Sequence, residues 1–160
     1  MMKGMTNKLV LTALMTALAD LSPSMASFKA GHGSLHFGDG VIFAAAALRG
    51  PSGAVASGLG SGLADFLAGY PAYIPGTILI KGGMALVALA FFRKSEGKWL
   101  FALFGMALAE LLMVVGYFGY ETLLYGAEGA LAGVLPNLLQ GLFGVVVGAV
   151  LLRATRRLQR

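Results

Sequence analysis

Apolar residues run along the chain in six stretches, near Leu9 to Leu21, Val41 to Leu48, Gly53 to Leu67, Ile74 to Phe92, Leu100 to Tyr120 and Gly129 to Leu152. Turn formers separate them: Ser22-Pro23 through Gly40, Gly50-Pro51, Gly69 to Pro75, Ser95-Glu96-Gly97 and Gly126 to Gly129. The pattern predicts an all-α chain of six helices. Crossing a bilayer takes about 20 residues, so the second stretch is too short to span and either mismatches the membrane or crosses it partway. The fourth stretch contains one lysine, Lys81, a few residues inside an otherwise apolar run.

Composition decides what that lysine means. Hydrophobic residues make up 58% of the 160, charged residues 12%, and the mean hydropathy is +0.80. Soluble chains are roughly half apolar and a quarter charged, so this composition indicates an integral membrane protein. One transmembrane domain over 1–160 is expected, too short for the two large inverted repeats of many secondary transporters. Cysteine is absent, which excludes disulfides, thiolate metal sites and cysteine nucleophiles but leaves the redox compartment open.

The net charge of +5 is distributed as a topology signal, not as a nucleic-acid footprint. Lys3 and Lys8, Arg49, Arg93, Lys94 and Lys98, and Arg153, Arg156, Arg157 and Arg160 fall in the N-terminus, alternate loops and the C-terminus. With six crossings these share one side, so the positive-inside rule predicts cytoplasmic termini. Asp39, Asp65, Glu121 and Glu128 gather at the opposite ends. Lys3, Lys8 and Ala17-Leu18-Ala19 also fit a signal peptide, a rival reading of the first stretch that leaves the sides of later loops unchanged.

The third stretch places Ala54, Gly58 and Gly62 at four-residue spacing beside Ser57 and Ser61, a small-residue face that lets helices approach closely in lipid. Its glycines follow no strand and lack the Gly-Lys-Ser/Thr of a phosphate loop. Elsewhere, Glu110, His36, Asp39, Ser57 and Ser61 show no nucleophile and base at a suggestive spacing, which argues against an enzyme. A small channel or structural membrane subunit is a further class compatible with a Gly/Ala-rich bundle.

Four segments, HFGDGVIFAAAALRGPSGA, GLADFLAGYPAYIPGTILIKGG, GYFGYETLLYG and LPNLLQGLFG, resemble the substrate-binding (S) components of energy-coupling factor (ECF) vitamin transporters. The resemblance extends from Leu11 to Leu152. It implies a six-helix subunit of the bacterial cell membrane that captures a vitamin or precursor and docks on a transmembrane T subunit driven by two ATPases, with no cofactor of its own. In that family a small AxxxA patch on the first helix docks on the T subunit, and Ala13 and Ala17 match it. The resemblance is nearest to S components for pyridoxine-like or hydroxymethylpyrimidine-like compounds, with riboflavin second. A thiamine-type site, which in the family uses indole stacking, is disfavoured because the single tryptophan, Trp99, lies at the cytoplasmic end of the fifth stretch.

If the fourth helix enters from outside near Ile74, Lys81 lies about 10 Å deep and should face the bundle interior. Asn137 and Gln140 on the sixth helix and Tyr117 and Tyr120 at the end of the fifth reach a similar depth, and together they offer donors, acceptors and aromatic faces to a flat heterocycle. The competing reading of Lys81 is an interhelical ion pair with Glu110, which would also fit the floor of such a site. Asn137 and Gln140 have a corresponding alternative as interhelical hydrogen bonders. His32, His36 and Asp39 have a spacing open to a metal, but glycines interrupt the run, so a lid with His36 and Asp39 at its edge is expected and no metal. Tyr70 and Tyr73 are expected as a second lid or as an interfacial aromatic belt.

Overall fold

The computed structural model describes residues 2–21, 37–95 and 98–158, and all its regular elements there are helical. Helix α1 covers Met2–Leu21, α2 Gly38–Arg49, α3 Pro51–Ala68, α4 Ile74–Lys94 and α5 Trp99–Leu158, with a 3-10 turn at Pro71–Tyr73 leading into α4. His32 and His36 lie outside the described residues. The second helix is 12 residues long, about 18 Å at 1.5 Å per residue and short of a full crossing. Gly50, with φ 64°, turns the chain sharply into α3, where Pro51 occupies the first helical turn.

The expectation of separate fifth and sixth helices meets a 60-residue element with one non-helical residue inside it, Gly126, at φ 80° and ψ 165°. Glycine reaches that conformation without the Cβ clash other residues would suffer. The expected turn from Gly126 to Gly129 is thus a single-residue elbow. A straight rod of 60 residues would run about 90 Å, three times the hydrocarbon thickness. Instead the arms on either side of Gly126 double back: Gly133 packs at Glu121, Gly141 and Gly144 at Glu110, and Gly148 at Met106. Arg153 closes the far end with its guanidinium 4.5 Å from the ring centre of Trp99.

Burial is inverted relative to a soluble protein. Leu79, Leu100 and Leu123 are 75%, 79% and 84% exposed, whereas Asp39, Ser57, Lys81 and Gln140 are all buried. Such an exterior suits lipid, which accepts apolar side chains and leaves polar ones to pair inside. Two stretches, Pro71–Lys94 and Trp99–Thr155, are long and apolar enough to cross a membrane. Small residues allow the helices to approach closely: Gly58 lies against the Ile78 carbonyl and Gly82 of α4, and Gly60 against the Ala13 carbonyl and Thr16 of α1.

Candidate functional site, a polar layer inside an apolar bundle

Following each helix one turn at a time away from the Gly50 corner, its inner face changes from apolar to polar. On α2 the buried positions pass from Ala46 and Ile42 to Asp39, and on α3 from Ala54 to Ser57 and Ser61. On α4 they pass from Leu89 and Ala85 to Lys81 and Thr77, and on the first arm of α5 from Met106 to Glu110 and Met113. The steps of three or four residues keep each series on one face. The apolar parts form the core, with Ile42, Ala46, Ala54, Ala85 and Leu89 in one cluster and Phe43, Met84 and Met106 in another. The polar parts form a layer above it.

Asp39 is the centre of that layer. Lys81 Nζ forms a salt bridge with Asp39 Oδ1, and Gln140 Nε2 donates to Asp39 Oδ2 at 2.6 Å. Met113 Sδ lies 3.0 Å from Lys81 Nζ and 3.5 Å from Gln140 Nε2. Lys81 also stands 5.7 Å from the centre of the Tyr117 ring, whose hydroxyl shares a 3.0 Å hydrogen bond with Thr77. Asp39 sits in the first turn of α2, where the helix dipole favours an anion. One buried carboxylate therefore ties α2 to α4 and to the second arm of α5.

This geometry corrects one expectation and changes the partner in one alternative. Asp39 is fully buried and ion-paired, not at the edge of a lid, because α2 begins inside the bundle and carries its first turn to Lys81. Lys81 is paired with Asp39 instead of Glu110, whose two carboxylate oxygens are buried without a hydrogen-bond partner. Glu110 lies against Gly141 and Gly144; a Cβ at position 144 would collide with Glu110 Oε1 and come within 2.8 Å of the Asp39 Cβ. The structure thus brings together Lys81, Asp39, Gln140 and Tyr117, with Glu110 adjoining them. Asn137 is buried one turn from Gln140.

Tyr70 and Tyr73 lie at the Gly126 end, apart from this cluster. Tyr73 is the hub of a cap, with ring centres 6.3 Å from Tyr70, 6.3 Å from Tyr120 and 6.2 Å from Tyr125. Its hydroxyl donates to Glu121 Oε1 at 3.3 Å, and the Tyr120 hydroxyl donates to the Ala72 carbonyl at 2.7 Å. Tyr70 is 61% exposed, as a belt residue would be, while Tyr73 is half-buried. Ala13 and Ala17 do not present an open patch. Ala17 is 2% exposed, and the backbone of Ala13 abuts Gly60, so the small face of α1 packs on the chain's own α3.

The sequence does not single out Thr77 or Met113 as members of the layer, places Asp65 only among the acidic residues at the helix ends, and offers Ser57 and Ser61 as packing residues and as parts of a catalytic set without suggestive spacing. The available signal was their spacing: Ser57, Ser61 and Asp65 recur every four residues on one face of α3. Among the described residues no group of three or more His, Cys, Asp or Glu side chains is placed to hold a metal. At the opposite end of the bundle, Lys8, Leu9, Thr12, Arg49 and Ser52 line a separate shallow cleft.

The family model described as ECF-type riboflavin transporter, S component, matches residues 3–157. The chain is 33% identical to the thiamine precursor transporter HmpT of Lactococcus lactis subsp. cremoris over 159 residues, 94% of this chain and 90% of that protein. It is 37% identical over 120 residues to an uncharacterized protein of Pyrococcus woesei, covering 74% of this chain and 80% of the other. No solved structure matches.

Proposed function

The chain belongs to the family of ECF-type riboflavin transporter S components, and from that premise we infer that it captures a small vitamin or vitamin precursor for uptake, with the polar layer as its binding site. The observation that carries this reading is the Lys81–Asp39–Gln140 chain, three buried polar groups from three helical segments inside a bundle with an apolar exterior. Ionisable groups placed in a membrane interior are costly and commonly mark ligand or ion sites. Gln140 and Asn137 offer the ligand donors and acceptors, Tyr117 a ring face, and Lys81 a charge already balanced by Asp39. Glu110 adjoins the floor of the site, and the Tyr70–Tyr73 turn at the Gly126 end would serve as a lid.

The ligand we favour is a single-ring heterocycle of hydroxymethylpyrimidine or pyridoxine type, supported by the likeness to a thiamine precursor transporter. Riboflavin is the second reading, supported by the description of the family. The sequence contains no nucleotide-binding motif, so partner ATPases would supply the energy and a T subunit would couple them to this subunit. The positive-inside pattern supports cytoplasmic termini in a cell membrane.

Native mass spectrometry of the detergent-purified protein, titrated with hydroxymethylpyrimidine, pyridoxine, riboflavin and pantothenate, tests the reading. One-to-one binding of a ring compound, weakened in Lys81→Met, is the expected result. Failure of every compound would overturn the reading of the polar layer as a site for these ligands.

A further inference from the structure

Most helical hydroxyls among the described residues satisfy themselves. Thr12, Thr16 and Thr122 donate to the carbonyl four residues back at 2.8, 3.0 and 2.7 Å, and Ser52, Ser95 and Thr155 to the carbonyl three back at 2.9, 2.8 and 3.0 Å. This is the usual behaviour of serine and threonine in helices. Ser57 and Ser61 depart from it. Both are at least 98% buried, yet neither hydroxyl has a partner. One turn further along the same face, Asp65 Oδ2 is likewise buried and unpartnered. Asp65 neighbours the Thr77 hydroxyl and lies within electrostatic reach of Asp20 and, after it, of Lys81, so this tract is the α3 side of the polar layer described above.

The chemistry of the tract is one-sided. A carboxylate oxygen accepts, and a hydroxyl accepts as readily as it donates. Lys81, the buried cation among the described residues, is already neutralised by Asp39. An anionic ligand would therefore meet another carboxylate and find no spare positive charge, whereas a ligand bearing N–H or O–H groups would satisfy oxygens that now lack partners.

We propose that Asp65, backed by Ser61 and Ser57, is a donor-reading subsite that takes the amino or hydroxymethyl group of a six-membered nitrogen heterocycle and thereby sets the class of ligand. The proposal rests on the uptake reading above and adds to it the residues that choose among ligands.

Two ligand pairs test it, each losing a donor group: hydroxymethylpyrimidine against its analogue with hydrogen in place of the exocyclic amine, and pyridoxine against 4-deoxypyridoxine. Dissociation constants are measured on the purified full chain for the wild type, Asp65→Asn and Ser61→Ala. A hydrogen bond to a charged group corresponds to about ten- to a hundredfold in affinity. The wild type should prefer the donor member of whichever pair it binds by that ratio, and Asp65→Asn, whose amide both donates and accepts, should reduce the preference to within about threefold. An unchanged preference in Asp65→Asn with binding retained overturns the subsite, as does tighter wild-type binding of pantothenate than of either donor ring; both leave the uptake reading standing. Wild-type protein that binds nothing overturns both. Should Asp65→Asn fail to fold, Ser61→Ala carries the test, and an unchanged preference there overturns the proposal.

Discussion

Lys81 and Asp39, 42 residues apart in sequence, form a buried salt bridge that joins the fourth helix to the first turn of the second. Neither charge faces lipid, and each is the other's main compensation. Removing one alone leaves an uncompensated ion, a change that typically costs about 3–5 kcal/mol. Lys81→Met is therefore expected to lower thermal stability in detergent as well as ligand affinity. The double variant Lys81→Met, Asp39→Leu should recover much of the stability without the affinity. Recovery of both would mean that the pair is scaffolding only.

Glu110 gives the opposite expectation. Its carboxyl group is buried with no hydrogen bond to either oxygen, so no hydrogen bond offsets the cost of burying it. Glu110→Gln should leave the yield of monodisperse protein unchanged or raise it, because no hydrogen bond within the fold is lost. A collapse in yield would show that the acid supports the bundle.

The glycines where the arms of α5 meet should tolerate substitution unequally. Gly144→Ala would drive a methyl group into Glu110 and to within 2.8 Å of the Asp39 Cβ, and Gly148→Ala would bring one to 2.6 Å from the Phe43 ring. Overpacking of this kind costs about 1–3 kcal/mol. At Gly119 an added Cβ meets nothing within 4 Å, and alanine there should be neutral or stabilising by up to about 1 kcal/mol. Melting temperatures of the three variants check the order.

On the first helix, Ala17→Leu should do more than block docking. Ala17 is 2% exposed against the chain's own helices, and the larger side chain would push α1 off α3, where Gly60 already touches the Ala13 carbonyl. Binding and transport are expected to fall together. Retained binding with transport lost would restore the docking role that the AxxxA resemblance implies.

Much of the architecture was legible because lipid enforces long apolar runs. The third and fourth helices start and end within two residues of their apolar stretches, at Pro51–Ala68 and Ile74–Lys94. The short second helix was equally plain. The separation of the last two helices was harder to read, since Gly126 is an elbow of one residue, and Ala127, Glu128 and Gly129 continue as helix despite their turn-like composition. That Lys81, Gln140 and Tyr117 share one level of the bundle follows from their depth along the helices. Pairing could not be found that way: choosing Asp39 over Glu110 depends on where α2 begins relative to α4, a tertiary relation that hydropathy does not encode. Ser57, Ser61 and Asp65 were hidden for a related reason, since small residues that allow close packing and small residues that leave an oxygen unbonded look alike in sequence.

The unbonded hydroxyls of Ser57 and Ser61 also bear on how stable the protein is. A buried polar group without a partner costs about 1–3 kcal/mol, a substantial part of the margin that keeps a fold together. A ligand that bonds to them returns this free energy to the native state alone, and at a hundred times its dissociation constant it adds about 2.7 kcal/mol of stability. The ligand-free protein is therefore the less stable form, and its melting temperature should climb with ligand concentration in place of staying fixed.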